Sequence, residues 1–414
     1  MKSTAHSTVQ SLLSVSPKTS KRKPVAIKRQ IIPLTGMRAL LIGWIVLYHL
    51  QPELTTALPF QPLLNLSAAG FVGVDFFFIV SGFIITYHYA ERLRPFNLKA
   101  YQRFLWLRLA RIYPVHLFSL GLVIMLFGLA TLTGATLTNP DFYELSSLFK
   151  NVFLMQAWTL PTTFSWNAVS WAVSLEWMAY LAFPLIIAGT LKLRRSPITL
   201  GSIVLVLWAM ATTCILLNAQ LNGPLISQSN TQQLAAPQLA LYGAGSYGLL
   251  RAAGEFTAGC LLYNLHQAQW RKQWHWGFLS SITWAIAIVG SSVLVADTVG
   301  GSDLSGQLNA LWLTPLYALA IYALSWEQGP VAKLFSTKPM VYGGKISYAL
   351  YLTHFICLIV LRRALPIENI VTGTNALTGL LTLSGYLIVI TAAAIITYQF
   401  IEKPGQRLLK RWTV

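Results

Sequence analysis

Ten long apolar runs dominate the chain and constrain what it can fold into. A helix needs roughly twenty mostly apolar residues to cross the hydrocarbon core of a bilayer. Only 10% of the 414 residues are charged, whereas soluble domains carry about 25%. The sequence therefore predicts an all-α, polytopic bundle of transmembrane helices. Its ten predicted spans are residues 34–52, 70–90, 109–132, 168–190, 199–217, 241–265, 277–296, 308–326, 344–362 and 376–400.

The segments outside these runs divide the chain into a membrane domain and two short tails. Residues 1–33 are basic and lack the apolar core of a signal peptide, which predicts a disordered cytoplasmic tail. The membrane domain is predicted over 34–405, followed by a short cytoplasmic tail at 406–414. Residues 145–160 are too few to cross and are predicted to form an interfacial helix.

Lysine and arginine are distributed very unevenly between the two sides of the predicted bundle. Of the 30 such residues, 25 fall on the side of the N-terminus, three on the opposite side and two within spans. Cytoplasmic loops carry the excess of positive charge, so both termini are predicted to be cytoplasmic in a multi-pass protein of the inner or plasma membrane. The net charge of +18 thus indicates contact with anionic membrane lipids, and no nucleic-acid partner is predicted.

Ionisable residues within the spans are the best pointers to function, because charge in the hydrocarbon layer is costly and usually faces the bundle interior. Arg38 and His49 are eleven residues apart, so they point in nearly the same direction and are separated by about 16 Å. Asp75 and Glu176 are predicted at the depth of His49. These groups are either catalytic, or structural: a snorkelling arginine, a hydrogen-bonded histidine and neutral acids.

Two more groups of polar residues share a helix face. Arg108 and Arg111 are one turn apart at the cytoplasmic edge, where with Arg38 they either bind phosphate groups or anchor the protein at the membrane surface. Ser347, Tyr351 and His354 form a polar stripe that is predicted to face the bundle centre, as structural hydrogen bonds or as lining of a substrate path. Arg251 and Glu255, four residues apart, are predicted to neutralise each other.

These residues fall in motifs that together resemble acyltransferase family 3, a family of membrane proteins that O-acylate surface polysaccharides. The resemblance covers residues 34 to about 410, and the motif around Trp171 departs from the family pattern because Ala172 replaces a common hydroxyl residue. The motifs are Arg38 with His49, Phe76 to Phe83, Arg108 to Pro114, Trp171 to Glu176, Gly344 to His354, and Ile401 to Pro404. Because the sequence ends at Val414, it is similar to the stand-alone type of the family.

The resemblance implies a cytoplasmic acyl-CoA donor, most commonly acetyl-CoA, and an acceptor hydroxyl on a carbohydrate or exported glycan. His49 is then the expected base, oriented by Asp75 or Glu176, unless His49 or Ser81 carries the acyl group in a covalent intermediate. The acyl-CoA is expected to bind Arg38, Arg108, Arg111, Ser81 and Gly82, and the substrate path to be lined by Ser174, Ser347, Tyr351 and His354. No metal and no permanently bound cofactor are predicted.

A proton-coupled transporter or flippase of a lipid-linked glycan is the alternative from another class. Buried His, Asp and Glu residues also suit a proton relay. Transporters commonly carry internal repeats and broken helices, and neither is evident in the sequence. The sequence therefore favours the enzyme, and it leaves open the acyl group, the acceptor, the side of its modification and the oligomeric state.

Overall fold

The protein is a helical bundle. The computed structural model describes residues 29–134, 140–159, 164–190, 193, 196–221, 247–269, 275–296, 308–367 and 376–413. No β-strand occurs among these residues, which confirms the all-α prediction. Residues 1–28, most of the predicted N-terminal tail, lie outside the described part of the chain.

One helix stands at each predicted span. The helices are α1 (Ile32–His49), α2 (Gly73–Tyr89), α3 (Leu98–Leu132), α4 (Trp171–Thr190), α5 (Ser196–Leu221), α6 (Gly248–Gln267), α7 (Trp276–Leu294), α8 (Thr314–Leu324), α9 (Lys338–Ala364) and α10 (Ala376–Thr397). Shorter helices are Gln51–Ala57, Gln61–Ala68, Leu145–Val152, Gly329–Phe335 and Lys403–Lys410.

Eight segments of the described chain are long and apolar enough to cross a membrane. The other two predicted spans fall short for different reasons. Helix α6 carries Arg251 and Glu255, which lower its mean hydropathy, and α8 with its preceding turn covers only Ala310–Leu324. The polytopic architecture is confirmed, whereas the count of ten spans and the cytoplasmic position of both termini stay predictions.

Helix α3 begins earlier than the predicted span 109–132. The Oδ1 atom of Asn97 accepts a hydrogen bond of 3.0 Å from the backbone N–H of Ala100 and caps the helix there. With 35 residues, α3 is about 52 Å long, well beyond the roughly 30 Å of a hydrocarbon core. The charged residues before the predicted span therefore continue α3 beyond the apolar layer.

Of residues 145–159, the described part of the predicted interfacial helix, Leu145–Val152 are helical. It exposes Leu145 and Phe149, as expected for a helix lying in the interface. The chain then leaves the helix through Leu154, which has a positive φ of 58°, and returns to the bundle at α4.

Close helix contacts set the positions of the functional side chains. A Cβ atom on Gly82 of α2 would lie 2.0 Å from the carbonyl oxygen of Phe256 on α6, and one on Gly344 of α9 would lie 1.8 Å from that of Thr35 on α1. Only glycine allows backbones to approach this closely. The bundle therefore packs α2 against α6 and α1 against α9.

The largest apolar core lies on the side of α2 that faces α7 and α8. There the ring of Phe76 stacks between Trp284 and Tyr317, with centroid distances of 4.9 and 4.6 Å. Another side of α2, the one that carries Ser81, faces α1, α3, α4 and α9, where the helices enclose a cavity.

Candidate active site

A cavity of about 400 Å³ lies between α1, α2, α3, α4 and α9. Its polar lining residues are Gln30, Thr35, Arg38, Ser81, His88, Arg108, Arg111, Glu176, Tyr180, Ser347, Tyr348 and Tyr351. We call the part around Arg38, Arg108 and Arg111 the arginine end. The apolar end is the part around Val74, Phe78, Ala172 and Tyr351, which belong to one apolar cluster.

The arginine end brings together three guanidinium groups from two helices. Arg108 donates a 2.8 Å hydrogen bond to the Tyr89 hydroxyl, and Arg111 forms an ion pair with Glu402. The guanidinium of Arg38 packs 5.7 Å from the ring centre of Phe77 and has no hydrogen-bond or ion-pair partner among the described residues. The arginines meet as the sequence predicts, and their positive charge suits an anionic ligand.

A carboxylate lies between the two ends. The hydroxyl of Ser81 donates a 2.7 Å hydrogen bond to Oε1 of Glu176, and the hydroxyl of Tyr180 donates to the same oxygen. Glu176 thus joins α4 to α2 within the cavity wall. It does not contact His49, so the prediction that Glu176 orients this imidazole is wrong.

His49 instead pairs with His354, and we call these two residues the histidine pair. Their rings are 4.9 Å apart, and Nε2 of His354 lies 3.3 Å from Nδ1 of His49. His354 is fully buried and its neighbour Tyr351 lines the apolar end, with the two ring centres 6.0 Å apart. The histidine pair therefore adjoins the cavity without being part of its wall.

Backbone carbonyl groups determine which nitrogen of each histidine carries the proton. Nδ1 of His354 lies 2.7 Å from the carbonyl oxygen of Tyr351, and Nδ1 of His49 lies 2.9 Å from that of Ile45. A carbonyl only accepts, so the hydrogen-bond network assigns a proton to both Nδ1 atoms. The one N–H of His49 is then shared between the Ile45 carbonyl and Nε2 of neutral His354, and the lone pair on Nε2 of His49 meets no donor among the described residues.

An ion pair closes the end of α1 next to the histidine pair. Arg362 donates a 2.6 Å hydrogen bond to the carbonyl oxygen of His49 and binds both carboxylate oxygens of Glu53, at 2.5 and 2.9 Å. A cation at this position satisfies a free carbonyl group and complements the helix dipole. Glu53 and Arg362 therefore hold the last turn of α1, and with it His49.

Asp75 belongs to a different part of the molecule from His49. Its Oδ1 atom accepts a 3.0 Å hydrogen bond from Nε of Arg251 on α6, and both side chains are buried. The prediction that Asp75 orients His49 is therefore wrong. The predicted pairing of Arg251 with Glu255 within α6 is also wrong, because Arg251 crosses to α2 and leaves both Glu255 oxygens without a hydrogen bond from the described residues.

Gly82 and Ser174 do not line the cavity. Gly82 faces Phe256 on α6, so the structure does not bring it to the cavity wall, and its contact with acyl-CoA stays a prediction. Ser174 donates a 2.7 Å hydrogen bond to the carbonyl oxygen of Leu154 and accepts one of 3.3 Å from the N–H of Ala157. Ser174 thus holds the segment before α4 in place, and its role in a substrate path stays a prediction.

The predicted stripe on α9 does face the bundle centre. Ser347 and Tyr351 line the cavity, and His354 continues the stripe to the histidine pair. Sequence reasoning missed the partners of the arginines: Glu402 for Arg111, and Glu53 for Arg362. A signal for Glu402 was present, since it is an acid directly after an apolar run within the last motif.

Comparisons with known proteins place this arrangement in context. The family model described as "Acyltransferase domain" matches residues 32–399. Peptidoglycan O-acetyltransferase OatA of Listeria monocytogenes is 22% identical over 92% of this chain and 57% of its own length. Acyltransferase MdmB of Streptomyces mycarofaciens is 29% identical over 30% of each chain. The chain thus spans little more than half of the Listeria protein, and no solved structure matches it significantly.

Proposed function

The chain belongs to the acyltransferase family whose model covers residues 32–399, and on that premise we propose that it is an acyl-CoA-dependent membrane O-acyltransferase. It moves an acyl group, acetyl in this proposal, to a hydroxyl of a carbohydrate or exported glycan. One observation carries the proposal: the cavity has arginines at one end and adjoins a pair of imidazoles at the other. A nucleotide thioester and a base-catalysed transfer require these two kinds of group.

The arginine end suits the phosphate groups of coenzyme A. Guanidinium groups bind phosphate with two parallel hydrogen bonds, and Arg38 has no partner among the described residues that would compete for its donors. A cavity of about 400 Å³ falls within the range of small-ligand sites. In this proposal the acylated arm of the donor occupies the cavity, and the nucleotide stays at the arginine end.

His49 acts as the general base of the proposed reaction. Its Nε2 lone pair takes the proton of the acceptor hydroxyl, whose oxygen attacks the thioester carbonyl carbon. The carbon–sulfur bond then breaks, and the thiolate of coenzyme A takes the proton from His49. The hydrogen bonds from Nδ1 to Ile45 and His354 hold the ring in position during both proton transfers.

A covalent route is the second form of the proposal, and the Ser81–Glu176 hydrogen bond favours it. In this route Glu176 takes the hydroxyl proton of Ser81, whose oxygen attacks the thioester carbon. The carbon–sulfur bond breaks, the thiolate of coenzyme A takes the proton from Glu176, and Ser81 carries the acyl ester. The acceptor hydroxyl then attacks this ester, and its proton passes to the departing Ser81 oxygen. Mass spectrometry of protein mixed with acetyl-CoA and no acceptor distinguishes the two routes. The covalent route gives an acyl group on the Ser81 peptide, and the direct route leaves this peptide unmodified.

The acceptor is proposed to be an exported glycan at the plasma membrane or inner membrane. The histidine pair lies at the end of α1 away from the arginines, which is the outer side in the predicted orientation. OatA of Listeria, a relative over 92% of this chain, is named for peptidoglycan. Its name supports a glycan acceptor for this chain.

Purified protein tests the proposal with acetyl-CoA as donor and soluble peptidoglycan fragments or chito-oligosaccharides as acceptors. We expect release of coenzyme A thiol and an acetylated acceptor. His49→Ala should abolish both, and Arg38→Ala should raise the KM for acetyl-CoA. His275→Ala and Arg103→Ala, two exposed residues outside the cavity, are matched controls that should leave both unchanged.

Two results would overturn the proposal. The first is a folded wild-type protein that neither binds acetyl-CoA nor releases thiol from it, which is what a transporter of a lipid-linked glycan would show. The second is a folded His49→Ala variant with full transfer, which would remove this imidazole from the mechanism.

A further inference from the structure

Three tyrosines line the cavity, and their hydroxyl groups differ in what they bind. The hydroxyl of Tyr180 donates to Glu176, and that of Tyr348 donates a 2.7 Å hydrogen bond to the carbonyl oxygen of Ile112. The hydroxyl of Tyr351 has no hydrogen-bond partner among the described residues. Tyr351 therefore has a donor available to a molecule in the cavity.

Tyr351 also connects the cavity to the histidine pair. It lies three residues before His354 on α9, so the two side chains are neighbours on one helix face. Around it are the apolar side chains of Val74, Phe78 and Ala172. A hydrogen bond made in such surroundings is stronger than the same bond in water, because no solvent competes for the donor.

The other short polar side chains of the cavity near α9 and α2 are already engaged. Ser347 donates a 2.9 Å hydrogen bond to the carbonyl oxygen of Gly344, and Ser81 donates to Glu176. Arg38 belongs to the arginine end. Among the described lining residues, Tyr351 is the donor that faces the apolar end with its hydrogen uncommitted.

We propose that the Tyr351 hydroxyl is a catalytic residue that donates a hydrogen bond to the oxyanion formed during acyl transfer. This inference rests on the proposed function. When the acceptor oxygen bonds to the thioester carbon, the carbonyl electrons move to the carbonyl oxygen, which becomes an oxyanion. The phenol O–H donates to that oxygen and keeps its proton. When the carbonyl reforms, the carbon–sulfur bond breaks and coenzyme A leaves.

Tyr351→Phe tests this role, because it removes the hydroxyl and keeps the ring. Loss of one oxyanion donor lowers kcat by about 10² to 10³, while the KM for acetyl-CoA should stay within about twofold, since the hydroxyl acts on the transition state more than on the bound substrate. Tyr342→Phe, an exposed tyrosine on the same helix, should leave both parameters unchanged. Tyr348→Phe should lower thermal stability more than Tyr351→Phe, because it removes a hydroxyl bound to the backbone.

Binding of a tetrahedral mimic gives a second readout that does not require turnover. A trifluoromethyl ketone analogue of acetyl-CoA hydrates to a species that resembles the intermediate. Tyr351→Phe should weaken its binding about tenfold, the value of one hydrogen bond, and leave the binding of free coenzyme A unchanged.

The possible outcomes separate the two proposals. Suppose that the wild-type protein is active and that Tyr351→Phe leaves either kcat or the binding of the ketone unchanged. This result overturns the oxyanion role and leaves the proposed function intact. A variant that changes only the KM for acetyl-CoA also overturns it, because the hydroxyl would then bind the ground state. Wild-type protein that neither releases nor binds coenzyme A overturns the proposed function, and the role of Tyr351 with it.

Discussion

Nε2 of His354 lies 3.3 Å from Nδ1 of His49, although the two residues are 305 positions apart in the sequence. Both rings have their Nδ1 atoms turned toward carbonyl oxygens of their own helices. Both protons therefore lie on the Nδ1 atoms, and the lone pair on Nε2 of His49 is available to take a proton. This relationship joins the first and ninth predicted spans into one unit.

His354 is expected to act as a positioning residue for His49. His354→Ala removes one of the two acceptors of His49 Nδ1 and leaves the Ile45 carbonyl. It should lower kcat by up to about tenfold, the effect of one lost hydrogen bond, with little change in the KM for acetyl-CoA. His354→Gln offers a side-chain oxygen as acceptor and should recover part of the loss. Steady-state kinetics of the two variants check this, and equal loss in both would argue against the positioning role.

Loss of Arg111 should destabilise the protein more than loss of the charge on Glu402, its partner in an ion pair. The Glu402 side chain is fully buried and that of Arg111 is 27% exposed. Arg111→Ala removes the cation from a buried carboxylate, which keeps a 3.2 Å hydrogen bond from Gln406. This change should lower the free energy of unfolding by about 3–5 kcal/mol. Glu402→Gln leaves a guanidinium that water still reaches, and should cost less. Thermal unfolding in detergent measures which of the two variants is less stable.

The double variant of this pair provides the control. Residues that interact directly show non-additive effects of about 0.5–3 kcal/mol, so Arg111→Ala with Glu402→Gln should cost less than the two single changes together. Strict additivity would mean that the pair contributes nothing to stability.

The Asp75–Arg251 pair is expected to be structural. Both side chains are buried, with exposed fractions of 0% and 3%, so Asp75→Asn alone should cost about 3–5 kcal/mol and lower the yield of folded protein. Replacement of both charges, as Asp75→Leu with Arg251→Met, should restore folding. Size-exclusion profiles and acetyl transfer check this. A double variant that folds and binds acetyl-CoA but no longer transfers the acetyl group would contradict the structural role and indicate that Asp75 takes part in the reaction.

The direction of a side chain around its helix explains where the sequence predictions failed. Residues six apart on a helix point about 120° away from each other, so Asp75 turns toward α6 while Ser81 faces the cavity. Ser174 and Glu176 are two apart and point to nearly opposite sides of α4. The sequence predicts a shared depth in the membrane for Asp75, Glu176 and His49, but a shared depth does not imply contact.

Replacement of Gly82 should separate two helices. A Cβ atom at this position would lie 2.0 Å from the carbonyl oxygen of Phe256, so Gly82→Ala forces α2 and α6 apart and should cost about 1–3 kcal/mol or more. Gly43→Ala on α1 is the matched control, since no atom lies within 4 Å of its Cβ position. That change should be neutral or stabilise by up to about 1 kcal/mol.

Thermal unfolding of both glycine variants checks this prediction. A Gly82→Ala variant as stable as the Gly43→Ala control would contradict the close contact of α2 with α6. The same measurement bears on the predicted contact of Gly82 with acyl-CoA, since a residue that only lined a ligand path would tolerate a methyl group without loss of stability.

The sequence was most informative about the arginines and least informative about their partners. Arg38, Arg108 and Arg111 lie near the same predicted membrane edge, which is why their meeting could be predicted from helix spacing. Glu53 lies at the end of an apolar run, where charge is ordinary and gives no signal of pairing. Glu402 stands out in the last motif, but its position does not reveal which arginine it binds. Arg251 reaches α2 because Asp75 offers a buried partner, which local spacing within α6 does not reveal.

Proteoliposomes with the protein in one orientation test the central claim most directly. With acetyl-CoA supplied on the side of the arginine end and chito-oligosaccharide acceptor on the side of the histidine pair, we predict an acetylated acceptor. Arg38→Ala and His49→Ala should each reduce it. Acetylation that requires donor and acceptor on the same side, or that proceeds equally with the two exchanged, would contradict the account.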